Sequence, residues 1–340
     1  MRFGLMEDFR NPLQWRRPFP DLYRDILAQI KMSEDLGFDN VWLTEHHFTE
    51  DGYNPSILPT AAAIAAQTNR IRIASFILLM PYNHPVRIAE DVANVDIISN
   101  GRFDFGVGQG YSYHEFKSFC IDRKTRARRL YEAMDIYERL HKEDRVTFKG
   151  EFTQIEDVFL SPKPVQEPHP PIWIGARGPK GIKRAAQHGY NLMATFGPDP
   201  APLYQETLKE GGYNPDDFKI AQLRMGHIAD SAEQAWDECQ DHLFHLLEFY
   251  HDILVGANDA EGDDQPLPIK EPRDIRDSPL GEVFLVGTVD QVAEKLDKIC
   301  NELICTDFVF NMQLPGMDVA ICNRAIERFA KEVMPAFRDR

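Results

Sequence analysis

Basic charge, paired cysteines and long apolar runs are all scarce in this chain, and each shortage closes a class of function. Its 340 residues carry 38 Lys and Arg against 54 Asp and Glu, a formal net charge of −16. Nucleic acids and anionic membranes are bound by neutralising phosphates with basic side chains, so neither is an expected partner. Cys120, Cys239, Cys300, Cys305 and Cys322 are an odd number with no Cys-x-x-Cys pair, which argues against a stapled scaffold and for a reducing compartment. The longest apolar stretches, such as Ile73 to Met80, fall far short of the roughly 18 residues of a membrane span. The amino terminus reaches Glu7 and Asp8 after a few apolar residues, too few for the core of a signal peptide. A cytoplasmic protein is the expectation. With only 23 prolines and 21 glycines and 43% apolar residues, the composition is neither disordered nor fibrous and can bury a substantial core.

What is present is an alternation of short β-rich runs with longer segments of helical periodicity. The expected strands are 2–6, 40–45, 71–79, 103–108, 171–176, 191–196, 219–227 and 307–314. Helices are expected near 21–36, 57–68, 85–99, 124–143, 179–188, 200–211, 231–250 and 318–336, with an extra one at 289–303. In the fourth, Ala127, Leu130, Met134, Tyr137 and Leu140 recur every three or four residues, an apolar stripe that needs a sheet beneath it. Eight such pairs in one chain of this length fit an α/β fold, the closed (β/α)8 TIM barrel, as a single domain over 1–340. Residues 151–165 read as a pair of short strands before strand five. Residues 256–282, rich in Asp, Glu and Pro, read as a long insertion before the last βα unit, suited to a lid.

Reactive groups on such a barrel come from the carboxyl ends of strands. The second strand closes as Leu43-Thr44-Glu45-His46-His47-Phe48. Adjacent strand residues face opposite ways, so the two histidines cannot both aim at one centre. One of them suits an acid, base or hydrogen-bond donor over the barrel mouth; a pair of structural histidines with Glu45 as ion-pair partner fits the pattern as well. The fourth strand, Phe103-Asp104-Phe105-Gly106-Val107-Gly108-Gln109-Gly110-Tyr111, alternates its glycines within the strand, unlike a dinucleotide fingerprint. They would clear space for a flat ring system or satisfy tight strand packing. The fifth closes as Ile174-Gly175-Ala176-Arg177-Gly178-Pro179-Lys180. A glycine turn at a helix amino terminus beside two cations suits a phosphate, the alternative being an exposed junction with two solvated side chains.

Four segments, Glu45-His46-His47-Phe48, Asn83-His84-Pro85-Val86-Arg87-Ile88-Ala89-Glu90-Asp91, Gly101 to Gly108 and Pro171-Ile172-Trp173-Ile174-Gly175-Ala176, together resemble the bacterial luciferase-like flavin-dependent monooxygenases, of the alkanal monooxygenase alpha-chain type. Val286-Gly287-Thr288-Val289-Asp290-Gln291-Val292-Ala293-Glu294-Lys295-Leu296 is similar to that family's carboxy-terminal block, so the resemblance runs in order from about residue 1 to 336. It implies a two-component enzyme that takes reduced FMN from a separate flavin reductase. The bound flavin would react with O2 to a C4a-hydroperoxide and oxygenate a small apolar organic substrate. By the same comparison His46 is the catalytic histidine. Ser75 falls at a bulge of strand three where relatives carry a non-prolyl cis peptide against the flavin. Gln109 and Tyr111 border the flavin, Arg177 and Gly178 bind its phosphate, and Phe196 lies beside the ring. No metal ligand is expected. A homodimer, or a heterodimer with a related subunit, is the implied assembly.

The chain departs from luciferase alpha subunits, which have a basic residue at Gln109, an acidic-plus-hydroxyl turn at Ala176 and Arg177, and a thiol at Gly108. Those differences move the phosphate contact to Arg177 and give no reason to expect light emission. Three other readings stay open: a deazaflavin-dependent hydride-transfer enzyme, a metal-dependent TIM-barrel hydrolase using His46, His84 and strand-end carboxylates, and a non-catalytic flavin-binding subunit. Phe9, Trp15, Phe76, Tyr111, Tyr113 and Phe196 suggest an apolar substrate pocket.

Overall fold

The structure, a computed structural model, describes residues 1–195, 199–257 and 269–338. Eight parallel strands close on themselves: β1 (Arg2–Glu7), β2 (Asn40–Leu43), β3 (Arg72–Ser75), β4 (Phe103–Gly108), β5 (Ile172–Gly175), β6 (Asn191–Ala194), β7 (Ile220–Ile228) and β8 (Asp307–Asn311). Closure is made where Arg2 to Leu5 of β1 pair with Asp307 to Phe310 of β8. Helices between the strands form the outer ring, α1 (Phe19–Asp35), α2 (Ile57–Gln67), α3 (Pro85–Ser99), α4 (Tyr113–Ser118), α5 (Arg126–Lys142), α6 (Pro179–Gln187), α7 (Ala201–Glu210), α8 (Ala232–Ala257), α9 (Pro279–Val283), α10 (Val289–Glu302) and α11 (Val319–Arg328). This is the TIM barrel the alternation predicts. Among the described residues no helix is long and apolar enough to cross a membrane.

Two cores result from the period-two alternation of the strands. Outward-facing Phe3, Val41, Ile73, Phe103, Phe105, Ile172, Leu192 and Phe308 pack under the helices. Inward-facing Met6, Trp42, Ala74, Trp173, Met193, Ala221, Leu223 and Val309 fill the barrel, so it is a plug and not a pore. Trp42 and Trp173 meet edge to face with centroids 5.1 Å apart. Truncating either would cost about 3–5 kcal/mol, the range for a large aromatic cut to alanine. The floor is ionic: Arg2 pairs with Asp307 at 2.7 Å, Asn40 donates to Asp307 at 2.9 Å, and Arg72 pairs with Asp104 at 2.7 Å.

The elements differ from expectation at informative places. Strand three stops at Ser75; the Phe76–Ile77 peptide is cis, and Leu78 and Leu79 resume pairing with Val107 and Gly108 of β4. The hairpin before strand five runs Val146–Lys149 against Gln154–Val158, not over 151–165. Its turn is placed by the Glu132 carboxylate of α5, which accepts the N–H groups of Glu151, Phe152 and Thr153. A short strand, Leu285–Gly287, adds to the edge of β7. Of the expected insertion at 256–282, residues 258–268 lie outside the described residues. Beyond them Ile269 and Ile275 are buried in a satellite cluster beneath α8, with Trp236 and Leu243.

Candidate functional site

The carboxyl ends of the strands converge on a mouth lined by unusually many titratable groups. After β2 the chain runs on as Thr44, Glu45 and His46, all buried. Past β4, Ser112 caps the short helix α4 by accepting the Glu115 N–H. The Glu115 side chain does not complete a capping box by reaching back to the cap. Instead its Oε1 lies 2.8 Å from His46 Nδ1 and accepts the backbone N–H of His47 at 2.9 Å, while its Oε2 accepts the Tyr82 hydroxyl at 3.2 Å. His46 Nε2 faces the Tyr111 hydroxyl at 3.2 Å. The neighbouring His47 uses its Nε2 on Glu45, 2.8 Å away. The histidines thus point to separate carboxylates, as their adjacency predicts.

Aromatic rings enclose His46. Tyr53 stands edge-on at 4.8 Å, Tyr111 at 5.7 Å, and Phe249 and Tyr250 from α8 at 5.6 and 6.1 Å. Tyr53 and Tyr250 share a hydroxyl contact of 2.8 Å. Arg10 lies over the Phe249 ring at 4.0 Å and pairs with Asp51 at 2.5 Å. Burial alone would push every carboxyl here up. For Glu115, the hydrogen bonds and charge of His46 and the His47 N–H outweigh burial and hold it below the ordinary glutamate value. For Glu45, burial wins over His47 and the carboxyl is raised. Asp8, at the end of β1, is pushed up to about 6 by burial, with Asp51 adding and Arg10 and Asn311 opposing.

The sequence-selected residues do not all meet at the mouth. Tyr111 and His46 do, the Tyr111 hydroxyl lying on His46 Nε2. Arg177 and Gly178 are exposed at the amino terminus of α6, which has neither a side-chain cap nor an acidic residue in its first turn. A Cβ on Gly178 would meet nothing within 4 Å. Gln109 is exposed just past β4. Ser75 is fully buried, and its hydroxyl is committed to the Gly106 backbone, donating to the carbonyl at 2.7 Å and accepting the N–H at 2.8 Å. Phe196 lies outside the described residues. The β4 glycines make room for the chain itself: a Cβ at Gly106 would fall 1.9 Å from the Ser75 carbonyl oxygen, and one at Gly108 would fall 1.8 Å from Ile77 Cδ1.

The expected apolar pocket is only partly assembled. Phe9 is buried against Tyr23, Trp15 packs on His242, and Tyr113 is exposed. Its aromatic lining comes instead from Tyr53, Phe249 and Tyr250. The donor set of a hydrolase is not gathered: His84 is exposed at the start of α3, and among the described residues no three His, Cys, Asp or Glu are grouped to hold a metal ion. Glu115 is the residue that sequence reasoning missed. Its only local signal, Ser112-x-x-Glu115, is the ordinary mark of a helix start.

A family model described as luciferase-like monooxygenase matches residues 1–305. The chain is 27% identical over 340 residues to the oxygenase component of the flavin-dependent trigonelline monooxygenase of Acinetobacter baylyi, covering 94% of this chain and 91% of the relative. It is 25% identical to the F420-dependent glucose-6-phosphate dehydrogenase of Microbacterium testaceum, covering 91% of this chain and 92% of that one. Among solved structures, the monooxygenase RslO1 from Streptomyces bottropensis superposes with a TM-score of 0.86 at 25% identity, covering 99% of this chain and all of RslO1.

Proposed function

The chain belongs to the luciferase-like monooxygenase family, and from that premise we propose that it is the oxygenase of a two-component system. It would take reduced FMN from a separate flavin reductase and use O2 to oxygenate a small apolar substrate. The observation that carries this reading is a buried histidine, bonded to a carboxylate on one ring nitrogen and to Tyr111 on the other, at the mouth of a barrel of this family. The residues fit the cofactor. The start of α6, with no side-chain cap and no acidic residue in its first turn and with Arg177 and Lys180 beside it, suits a phosphate.

Bound reduced FMN would supply the reaction with O2, one oxygen atom going to substrate and the other to water. The chain's task is to orient, to keep water away and to move a proton. Trp42, Phe76, Trp173, Met193 and Leu223 close the barrel beneath the mouth, an apolar floor that limits loss of the activated oxygen to water. His46 Nε2 is the group placed to hold or release a proton there. His46→Ala should leave binding of reduced FMN nearly unchanged while shifting O2 consumption from product to hydrogen peroxide. Unaltered coupling would remove His46 from the reaction.

A deazaflavin in place of FMN is the second reading, favoured by the similarity to the F420-dependent dehydrogenase. Anaerobic titration with reduced FMN and with reduced F420 separates the two. FMN should bind more tightly, and Arg177→Ala should weaken it about tenfold. Binding of F420 alone, with substrate reduced under nitrogen, would replace the oxygenase by a hydride-transfer enzyme.

A further inference from the structure

Both carboxylate oxygens of Glu115 are already engaged by donors. His46 Nδ1 and the His47 N–H converge on Oε1, and the Tyr82 hydroxyl lies on Oε2. The carboxylate is 1% exposed, so no solvent competes. An ionised carboxylate can only accept hydrogen bonds. The 2.8 Å contact with His46 therefore requires a proton on Nδ1. A histidine whose Nδ1 is so occupied can gain or lose its other proton only at Nε2. That nitrogen faces the Tyr111 hydroxyl at 3.2 Å.

We propose that Glu115 is a positioning residue that locks His46 in the Nδ1-protonated form, making Nε2 the working nitrogen and the Tyr111 hydroxyl the first group to exchange a proton with it. This rests on the assignment of His46 above, but its first readout, the tautomer, needs no cofactor. The exchange balances as a relay: Tyr111 passes its hydroxyl proton to Nε2 and takes one from the reacting group at the mouth in the same step, so the ring gains one proton, the phenol stays neutral, and Glu115 keeps its charge and its three donors. The other groups facing His46 among the described residues are the rings of Tyr53, Phe249 and Tyr250; the two hydroxyls there bond each other, and Tyr53 also bonds Thr44. Glu45 is engaged with His47 and does not compete for His46.

The test is long-range proton–nitrogen NMR on histidine-labelled full-length protein, with the His46 signals identified by their loss in His46→Gln. At a pH where the ring is neutral, wild type should show a protonated Nδ1 and an unprotonated Nε2. In Glu115→Gln the new amide can donate to Nδ1, so the proton should move to Nε2. Turnover should fall by about 10²–10⁴, the range for losing the orienting carboxylate of a histidine pair, while the Kd for reduced FMN changes less than about threefold. Glu115→Asp should restore the Nδ1-protonated form and part of the turnover, and Tyr111→Phe should shift the Nε2 resonance without moving the proton. Wild type with its proton on Nε2 overturns the proposal even if no variant folds. A Glu115→Gln protein that keeps the tautomer, or changes it without loss of turnover, also overturns it. Should the tautomer be as stated but no oxygenation occur with reduced FMN, the function reading fails and the positioning role stands.

Discussion

Two histidine–glutamate pairs lie side by side at the barrel mouth, each with a 2.8 Å contact, and they are electrostatic opposites. His46–Glu115 joins the segment after β2 to α4 across 69 positions of sequence; His47–Glu45 is local. Both carboxylates are buried, yet Glu115 is held below its ordinary value and Glu45 is raised above it. Distance to the histidine cannot account for the difference. The donors differ: beside its histidine Glu115 collects the His47 N–H and the Tyr82 hydroxyl, whereas Glu45 adds only the Leu79 N–H, and burial dominates there. Burial sets the cost of a charge, and the count of donors decides whether it is carried.

The comparison is broken most directly by removing the charge from each partner in turn. Glu115→Gln should cost about 10²–10⁴ in turnover, and Glu45→Gln less than about threefold, measured as substrate oxygenated per enzyme under matched reduced FMN. Equal losses would mean that both pairs serve the reaction and that the donor count is irrelevant to it.

Asp8 sharpens the same contrast as a third mouth carboxylate on the Glu45 side. Its folded-state value of about 6 lies above the ordinary 3.8. Between those two pH values the folded chain holds a proton that the unfolded chain has lost, so stability falls as pH rises through that window and then levels. Asp8→Asn removes this dependence and can still accept the Arg10 N–H that Asp8 Oδ1 accepts at 3.1 Å. The variant should gain on wild type between pH 4 and pH 7, to a plateau on the order of 3 kcal/mol. Urea unfolding at pH 4 and pH 8 reads the difference. A variant that loses ground at the higher pH would show that Asp8 is stabilised, not strained, by ionising.

How much of this could be read in the sequence follows from the range of the forces involved. Strand positions were legible to within one or two residues over most of the barrel, because alternation of apolar residues is a local signal that the closed sheet obeys. The Glu45-His46-His47 run drew notice because it follows a strand, and the family resemblance, not the spacing, singled out His46. Glu115 was not legible, since its partner is distant in sequence and its neighbours spell out a helix cap. The glycines of β4 were legible as a need for space but not as to what fills it. Ser75 and Ile77 do, because strand three breaks at Phe76 and folds inward. Alternation predicts a continuous strand there and carries no mark of the break.

The smallest expected effect is the stability of Glu45→Gln. Glu45 is raised, so the folded chain keeps its proton after the unfolded chain has released it. Wild-type stability accordingly declines as pH rises from about 4.5 through the folded-state value, and the amide, which does not titrate, escapes the decline. The His47 contact opposes this gain, since losing a charge-assisted hydrogen bond costs a comparable amount. The net change at pH 8 should be within about 1 kcal/mol of zero, and more favourable to the variant at pH 8 than at pH 4. Thermal unfolding at the two pH values measures it. A Glu45→Gln protein clearly less stable at pH 8 would show that Glu45 carries its charge as firmly as Glu115, and the opposition between the two pairs would disappear.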